Sequence, residues 1–385
     1  MKLPSDVKFI LDKIREYGYI SFVVGGAVRD YLLGNKPTDF DISTSSPPEI
    51  TKEIFKDFKT IDNGIKHGTV MVIINHRMYE ITTFRSEATY EKYRKPKNVT
   101  FISDLYTDLS RRDFTINAIC FYDKIYDYFD GQADIEKGII RTVNDPMVRF
   151  EEDALRILRA IRFSCQLDFS IDNKTKNAIF KKKNNLSFIS KERINIEIKK
   201  MFDGNIYRLR NFYSVFKIFI PSLKKKDFIF SIKMMKKEYS LELNLSLLLM
   251  NCFDAKEIIS ELKFSKQVSM MVLSIIETKN LDINDRIYDF RLLFNKYNYD
   301  TVIDILNFHH ILYNKDYSFK LINNAFNSCF SIKQLQINGH DLIDLKITKN
   351  KRALILNEVL DLVMKDKLEN NKEVLLNYIK EKSTE

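Results

Sequence analysis

Residues 22–41 read FVVGGAVRDYLLGNKPTDFD, and the fold turns on how this stretch is arranged. Phe22-Val23-Val24 is a short aromatic and β-branched run cut off by Gly25-Gly26, which predicts a strand ending in a tight turn. Ala27 to Leu33 contains no breaker and predicts a helix, and Gly34 to Pro37 predicts a turn. Asp39-Phe40-Asp41 then predicts a second strand. Residues two apart in a strand share a face, so Asp39 and Asp41 stand side by side while Phe40 turns into the core. Two carboxylates held that close repel each other unless a cation lies between them. Hard oxygen ligands at this spacing suit Mg²⁺ shared with substrate phosphates. Amides exposed where the glycine turn opens the helix suit a phosphate, and Arg29 can add a charge-assisted bond. A DxD alone is common in solvated turns, and a Gly-Gly pair alone marks only a tight turn. Together they form a phosphate cradle facing a metal site.

Outward from this stretch, Val70-Met-Val-Ile-Ile74 and Tyr79-Glu-Ile-Thr-Thr-Phe84 predict further strands. Eight of the ten glycines lie before residue 140, and Pro221 is the only proline after Pro146. Since both residues are excluded from helix interiors, the first third predicts strands and turns with some helix, and the remainder is mostly helical. The 385 residues are too many for one ordinary core, and two to four domains are expected. No apolar run approaches the roughly 18–20 residues of a membrane span, and Met1 to Arg15 lacks a signal-peptide core. Cys120, Cys165, Cys252 and Cys329 are scattered without metal-ligand spacing, which predicts reduced thiols in a cytoplasmic protein. The net charge of +10 admits a polyanionic partner such as RNA. A Lys- and Asn-rich coding bias would give the same surplus, so charge does not identify the partner.

The run GGAVRDYLLGNKPTDFD resembles the signature shared by class II tRNA nucleotidyltransferases and bacterial poly(A) polymerases, members of the polymerase β-like superfamily. The resemblance implies that Gly25 and Gly26 cradle a triphosphate, that Arg29 contacts it, and that Asp39 and Asp41 ligate Mg²⁺. It also implies a third carboxylate on a neighbouring strand, for which Glu80 is the candidate. Arg111-Arg112-Asp113-Phe114-Thr115-Ile116-Asn117 is similar to the family's RRDFTIN motif. Adjacent arginines with an Asp and an Asn can bind phosphate and ribose hydroxyls together, and Asp113 or Asn117 facing a 2′-hydroxyl would prefer ribonucleotides. Residues 127–141 resemble the structural segment joining head to neck.

Arg149 to Phe163 (RFEEDALRILRAIRF) resembles the family's EDxxRxxR motif, which assigns base selection to Asp153 and Arg156, with Arg159 beside them. On a single helix, Arg149, Glu152, Asp153, Arg156 and Arg159 fall on one side and Ala154, Ile157, Leu158, Ile161 and Cys165 on the other. An aspartate accepts from an exocyclic amine, while an arginine donates to a ring nitrogen or carbonyl. Cytosine and adenine both present an amine beside an acceptor nitrogen. Uracil and guanine would set donor against donor, at about 1–3 kcal/mol for each unpaired buried group. One Asp/Arg pair can therefore accept C and A without a template. Ser190 to Glu197 resembles the family's ERIxxE motif, a helix start with Ser190 as expected N-cap and Glu192, Arg193 and Glu197 bracing the base-reading helix.

Ile65-Lys-His-Gly-Thr-Val70 resembles the HGTV strand of enzymes that add CCA, and residues 85–101 fill the loop that CC-only enzymes shorten, departing from the usual pattern at Lys95. The expected architecture is an α+β polymerase β-like head (1–140) followed by an all-α neck (141–205), body (206–270) and tail (271–385). The expected activity is template-independent addition of CCA to tRNA 3′ ends from CTP and ATP. Poly(A) polymerase and a CC-only or A-only enzyme are the enzymatic alternatives. A non-catalytic RNA-binding scaffold is the other, and paired carboxylates near RNA phosphates argue against it. The resemblance covers residues 20–200. Beyond Gly204 no motif is readable, and the His309-His310 pair does not form a metal-phosphohydrolase pattern.

Overall fold

The computed structural model describes residues 1–384 except 63, 88–89, 92–94 and 97–98, and the chain divides into two compact units. The first comprises residues 1–238 with 257–264, the second 239–256 with 265–385. Helix α1 (Ser5–Glu16) buries Val7, Ile10, Leu11 and Ile14, the spacing of one helical stripe, against the sheet. Strand β1 (Ser21–Val24), helix α2 (Gly26–Leu32), strand β2 (Asp41–Thr44) and helix α3 (Pro48–Ile54) follow. Strands β3 (Lys59–Ile61), β4 (Thr69–Ile74) and β5 (Arg77–Thr83) come next. In β4 and β5 the buried residues alternate: Val70, Val72 and Ile74, then Tyr79, Ile81 and Thr83. Their hairpin turns on Asn75 and His76, both with positive φ, which matches the right-handed twist of the strands.

Residues 85–101 contain two short antiparallel pairs, β6 (Arg85–Glu87) with β9 (Val99–Phe101) and β7 (Tyr90–Glu91) with β8 (Lys95–Pro96). Much of the expected full-length loop lies outside the described residues. Helix α4 (Leu105–Ser110) leads to β10 (Ile119–Phe121) and β11 (Ile125–Asp127), which complete a seven-stranded sheet of order β11-β10-β1-β2-β5-β4-β3. Every pairing is antiparallel except β2 with β5, where Ile42 pairs with Ile81 in parallel. The head is thus α+β, as its glycine distribution predicts.

From residue 131 onward the first unit is almost entirely helical: α5 (Gly131–Lys137), α6 (Pro146–Glu152), α7 (Leu155–Leu167), α8 (Asn173–Lys182) and α9 (Lys191–Phe202). One expectation fails here. Residues 149–163 do not form one helix, because Asp153 adopts extended dihedrals (φ −140°, ψ 105°) between α6 and α7. Its carboxylate accepts the Leu155 N–H at 3.0 Å, a local bond that competes with helix continuation. Ser190 does stand at the N-cap of α9, but its side chain makes no capping bond. After α9 the backbone passes so close to the end of α7 that a Cβ on Gly204 would meet the Cys165 carbonyl oxygen at 2.4 Å. All four cysteines are free, and burial pushes the Cys120 and Cys165 thiols up to about 12.

The second unit is all helix, with a core that includes Leu342, Val359, Leu360 and Leu375. Within it the Ser240 hydroxyl caps helix 241–249 by accepting from Leu243 N, and donates to the buried Asp304 carboxylate at 2.6 Å. Burial above all pushes Asp304 up to about 6. His309 is fully buried with its Nε2 2.9 Å from the Thr278 carbonyl, a packing role. Among the described residues no helix is long and apolar enough to cross a membrane.

Candidate active site

The Gly25 N–H bonds to the Ile119 carbonyl at 3.0 Å, tying the end of β1 to β10. Its dihedrals (φ 71°, ψ −122°) are open only to glycine, and from there α2 sets out. Arg29, one turn into α2, donates to Asn117 Oδ1 at 2.8 Å and pairs with Asp30 at 2.7 Å. Gly25, Gly26, Arg29 and Asn117 all line one open cleft of about 590 Å³.

Phe40 is buried while Asp39 and Asp41 are exposed, the alternation read from the sequence. The strand proper begins at Asp41, with Asp39 just ahead of it. Because Ile42 pairs with Ile81, the register sets Asp41 beside Glu80, one step before the first paired position. Surrounding protein, then the Asp39 charge, pushes the Asp41 carboxyl up, and Arg112 opposes the shift. Glu80 is pushed up first by desolvation, then by Asp41 and Asp39. Asp41 and Glu80 thus both feel the charge of Asp39. Of the three only Asp41 lines the cleft. Among the described residues no three His, Cys, Asp or Glu side chains gather closely enough to enclose an ion by themselves. Hard oxygens whose mutual repulsion a cation would relieve fit a divalent ion that takes its remaining ligands from a bound phosphate chain.

Arg111 caps α4, and Thr115 to Asn117 form a turn of 3₁₀-helix. Asp108, fully buried, holds Arg111 at 2.7 Å and Arg112 at 3.3 Å, and Arg112 also donates to Ser43 Oγ at 2.9 Å. Burial pushes the Asp108 carboxyl up, but the two guanidinium groups outweigh it and hold the carboxyl below its usual range. Asp113 accepts from Arg159 at 2.5 Å and from the next residue's backbone, Phe114 N, at 2.8 Å. Asp113 and Asn117, expected at a ribose hydroxyl, line the cleft and are engaged with Arg159 and Arg29.

Helix α7 adds Arg156, Arg159, Arg162, Phe163 and Gln166 to the cleft lining. Glu152 bridges Arg149 and Arg156, each at 2.5 Å, and Arg156 also donates to the Arg111 carbonyl at 2.9 Å. Asp153 receives Arg193 from α9 at 2.7 Å. Arg162 lies 3.2 Å from Glu197, with both side chains nearly buried and neither Arg162 Nε nor Glu197 Oε2 hydrogen-bonded. Burial raises the Glu197 carboxyl, with Arg162 opposing. Of the three residues expected to brace the helix, Arg193 lies against Asp153 and Glu197 against Arg162, while Glu192 is exposed. The motif reading gave no role to Arg85, Phe163 or Gln166, which line the cleft. The signal for the last two was their position three to four residues apart, continuing the Arg156–Arg159 side of the helix.

Residues 21–141 match the family described as Poly A polymerase head domain. Residues 168–225 match the one described as "Probable RNA and SrmB- binding site of polymerase A", and 239–379 match tRNA nucleotidyltransferase domain 2. The CCA-adding enzyme of Staphylococcus haemolyticus is 36% identical over 99% of this chain and 98% of its own. That of Ligilactobacillus salivarius is 52% identical over 51% of this chain and 48% of its own. Among solved structures, the Bacillus stearothermophilus CCA-adding enzyme in complex with CTP superposes with a TM-score of 0.82 at 28% identity, covering 100% of this chain and 98% of that one. The Thermotoga maritima CCA-adding enzyme complexed with tRNA shares the fold, with a TM-score of 0.71 at 21% identity, covering 100% of this chain and 97% of that one.

Proposed function

The chain belongs to the family of CCA-adding enzymes, and on that premise we propose that it adds C, C and A in turn to tRNA 3′ ends from CTP and ATP, without a template. The observation that carries this reading is the cleft itself: Asp41, with Glu80 in register beside it, lines it together with Arg29, Arg111, Arg112, Arg156 and Arg159. In each step the RNA 3′-hydroxyl gives its proton up to solvent, its oxygen bonds to the α-phosphorus, the bond from that phosphorus to the oxygen bridging it to the β-phosphate breaks, and pyrophosphate leaves. Gly25, Gly26, Arg29, Arg111 and Arg112 hold the triphosphate by amides and fixed positive charge. Asp39 and Asp41, with Glu80, would hold Mg²⁺. When bound, the metal lowers the pKa of the 3′-hydroxyl and stabilises the leaving pyrophosphate.

Base choice falls to Asp153 and Arg156, with Arg159 holding Asp113 toward the ribose. The Asp153 carboxylate offers about four acceptor positions. Leu155 N and Arg193 occupy three of them, which leaves room for an exocyclic amine. In this reading residues 1–140 are the catalytic head and 141–205 the base-reading neck. Residues 206–270 form the body and 271–385 the tRNA-gripping tail, and the protein works in the cytoplasm. The test is to incubate it with tRNA lacking its 3′ end and with each NTP separately and together, then sequence the products. Ends stopping at CCA are expected. Tracts of A, or ends stopping at CC, would replace this reading with poly(A) or partial addition.

A further inference from the structure

Phe163 is 6% exposed, yet it forms part of the cleft wall, and three guanidinium groups converge on its ring. The central carbon of Arg162 lies 4.1 Å from the ring centroid, that of Arg29 5.3 Å and that of Arg159 5.5 Å. The three come from two elements, α2 and α7, and each lies beside different polar groups. Arg29 is held by Asn117 and Asp30, Arg159 by Asp113, and Arg162 lies beside Glu197. Three like charges drawn to one point repel, and the electron-rich face of an aromatic ring is the apolar group that attracts them. The ring is itself fixed from behind by an edge-to-face contact with Phe114, at 5.7 Å and 80°.

We propose that Phe163 is a positioning residue for the incoming nucleotide, holding Arg29 on the triphosphate side and Arg159 on the ribose and base side at a fixed separation. An aliphatic residue would fill the space without attracting either cation. The grip on the phosphates and the choice of base are thereby set by one ring. This rests on the reading of the cleft as the nucleotide site.

The experiment replaces Phe163 in the full-length protein with phenylalanine analogues carrying progressively more ring fluorines, which weaken the π-face with little change of shape. Equilibrium titration with CTP, ATP and UTP is followed by steady-state kinetics on tRNA lacking its 3′ end. Dissociation constants for CTP and ATP are expected to rise stepwise to about tenfold, preference over UTP to fall in step, and the kinetic change to appear in KM rather than kcat. Phe163→Leu, followed by thermal unfolding, measures the packing role separately. Nucleotide affinities that stay flat across the fluorine series overturn the proposal, whatever Phe163→Leu does to stability. An unsubstituted protein that binds nucleotide but does not extend tRNA overturns the functional reading instead, and the titrations still decide the role of the ring.

Discussion

Arg193 and Asp153, forty residues apart in the chain, meet at 2.7 Å, and this bond fixes the direction of a carboxylate whose own backbone has left the helix. Arg193→Ala should therefore loosen base choice more than it weakens RNA binding. A charge-assisted bond contributes about 1.5–3 kcal/mol, so the preference for CTP over UTP in kcat/KM should fall at least about tenfold, with partial recovery in Arg193→Lys. An unchanged ratio in the Ala variant would remove Asp153 from base reading.

Asp41→Ala should abolish chemistry while sparing tRNA affinity. Loss of a metal-holding carboxylate forfeits several kcal/mol of transition-state stabilisation, a rate loss on the order of 10³-fold or more. Glu80→Gln should cost less, on the order of 10- to 100-fold. Single-turnover extension with gel-shift controls checks both. Substantial transfer by Asp41→Ala in Mg²⁺ would contradict the assignment.

The second unit should lose stability as pH rises through Asp304. With its carboxyl pushed up to about 6 against about 3.9 in the unfolded chain, the folded state keeps a proton that the unfolded state has released between those values. Stability therefore falls as pH climbs from about 4 to about 6 and levels above it, by an amount on the order of 2–3 kcal/mol. Asp304→Asn keeps an acceptor for the Ser240 hydroxyl and removes the titration. Thermal unfolding of the intact protein should then lose this slope, and the variant should be the more stable form at pH 7.5. A slope that survives the substitution would assign it to another group.

Gly25→Ala should hurt nucleotide binding before it unfolds the head. The added Cβ meets only ordinary contacts, Arg112 Nη1 and the Asn117 carbonyl at 3.6 Å. The backbone conformation itself should cost about 1–3 kcal/mol. CTP and ATP affinities should drop together, with tRNA binding retained. Equal affinities in the variant and the parent would show that the turn does not approach the phosphates.

The alternation of Asp39, Phe40 and Asp41 was legible because a strand has a period of two, and the glycine turn was legible because Gly25 needs its positive φ. The break at Asp153 was not. A helical wheel assumes an unbroken helix, and what breaks this one is a side chain that prefers the Leu155 amide and a tertiary arginine to its own helix. The wheel could place Phe163 on the arginine side of α7 but not say what it meets there. The ring's value lies in cations brought from α2, more than a hundred residues upstream, which no local pattern encodes. Glu80 was reachable only by likeness, since nothing in a sequence announces that β2 and β5 run parallel. The chain divides compactly near residue 239, where the sequence carries neither proline nor glycine to mark it.

That parallel pairing has a consequence for how the head can vary. Asp41 and Glu80 both stand just ahead of the Ile42–Ile81 pair, and everything between β2 and β5 is a detour that returns to the same edge. Lengthening or trimming the detour leaves the two acids where they are. A one-residue slip of β5 would instead swing Glu80 inward and bring Tyr79 or Ile81 out in its place. Here the strand's frame, not the length of the detour, keeps the two acids side by side.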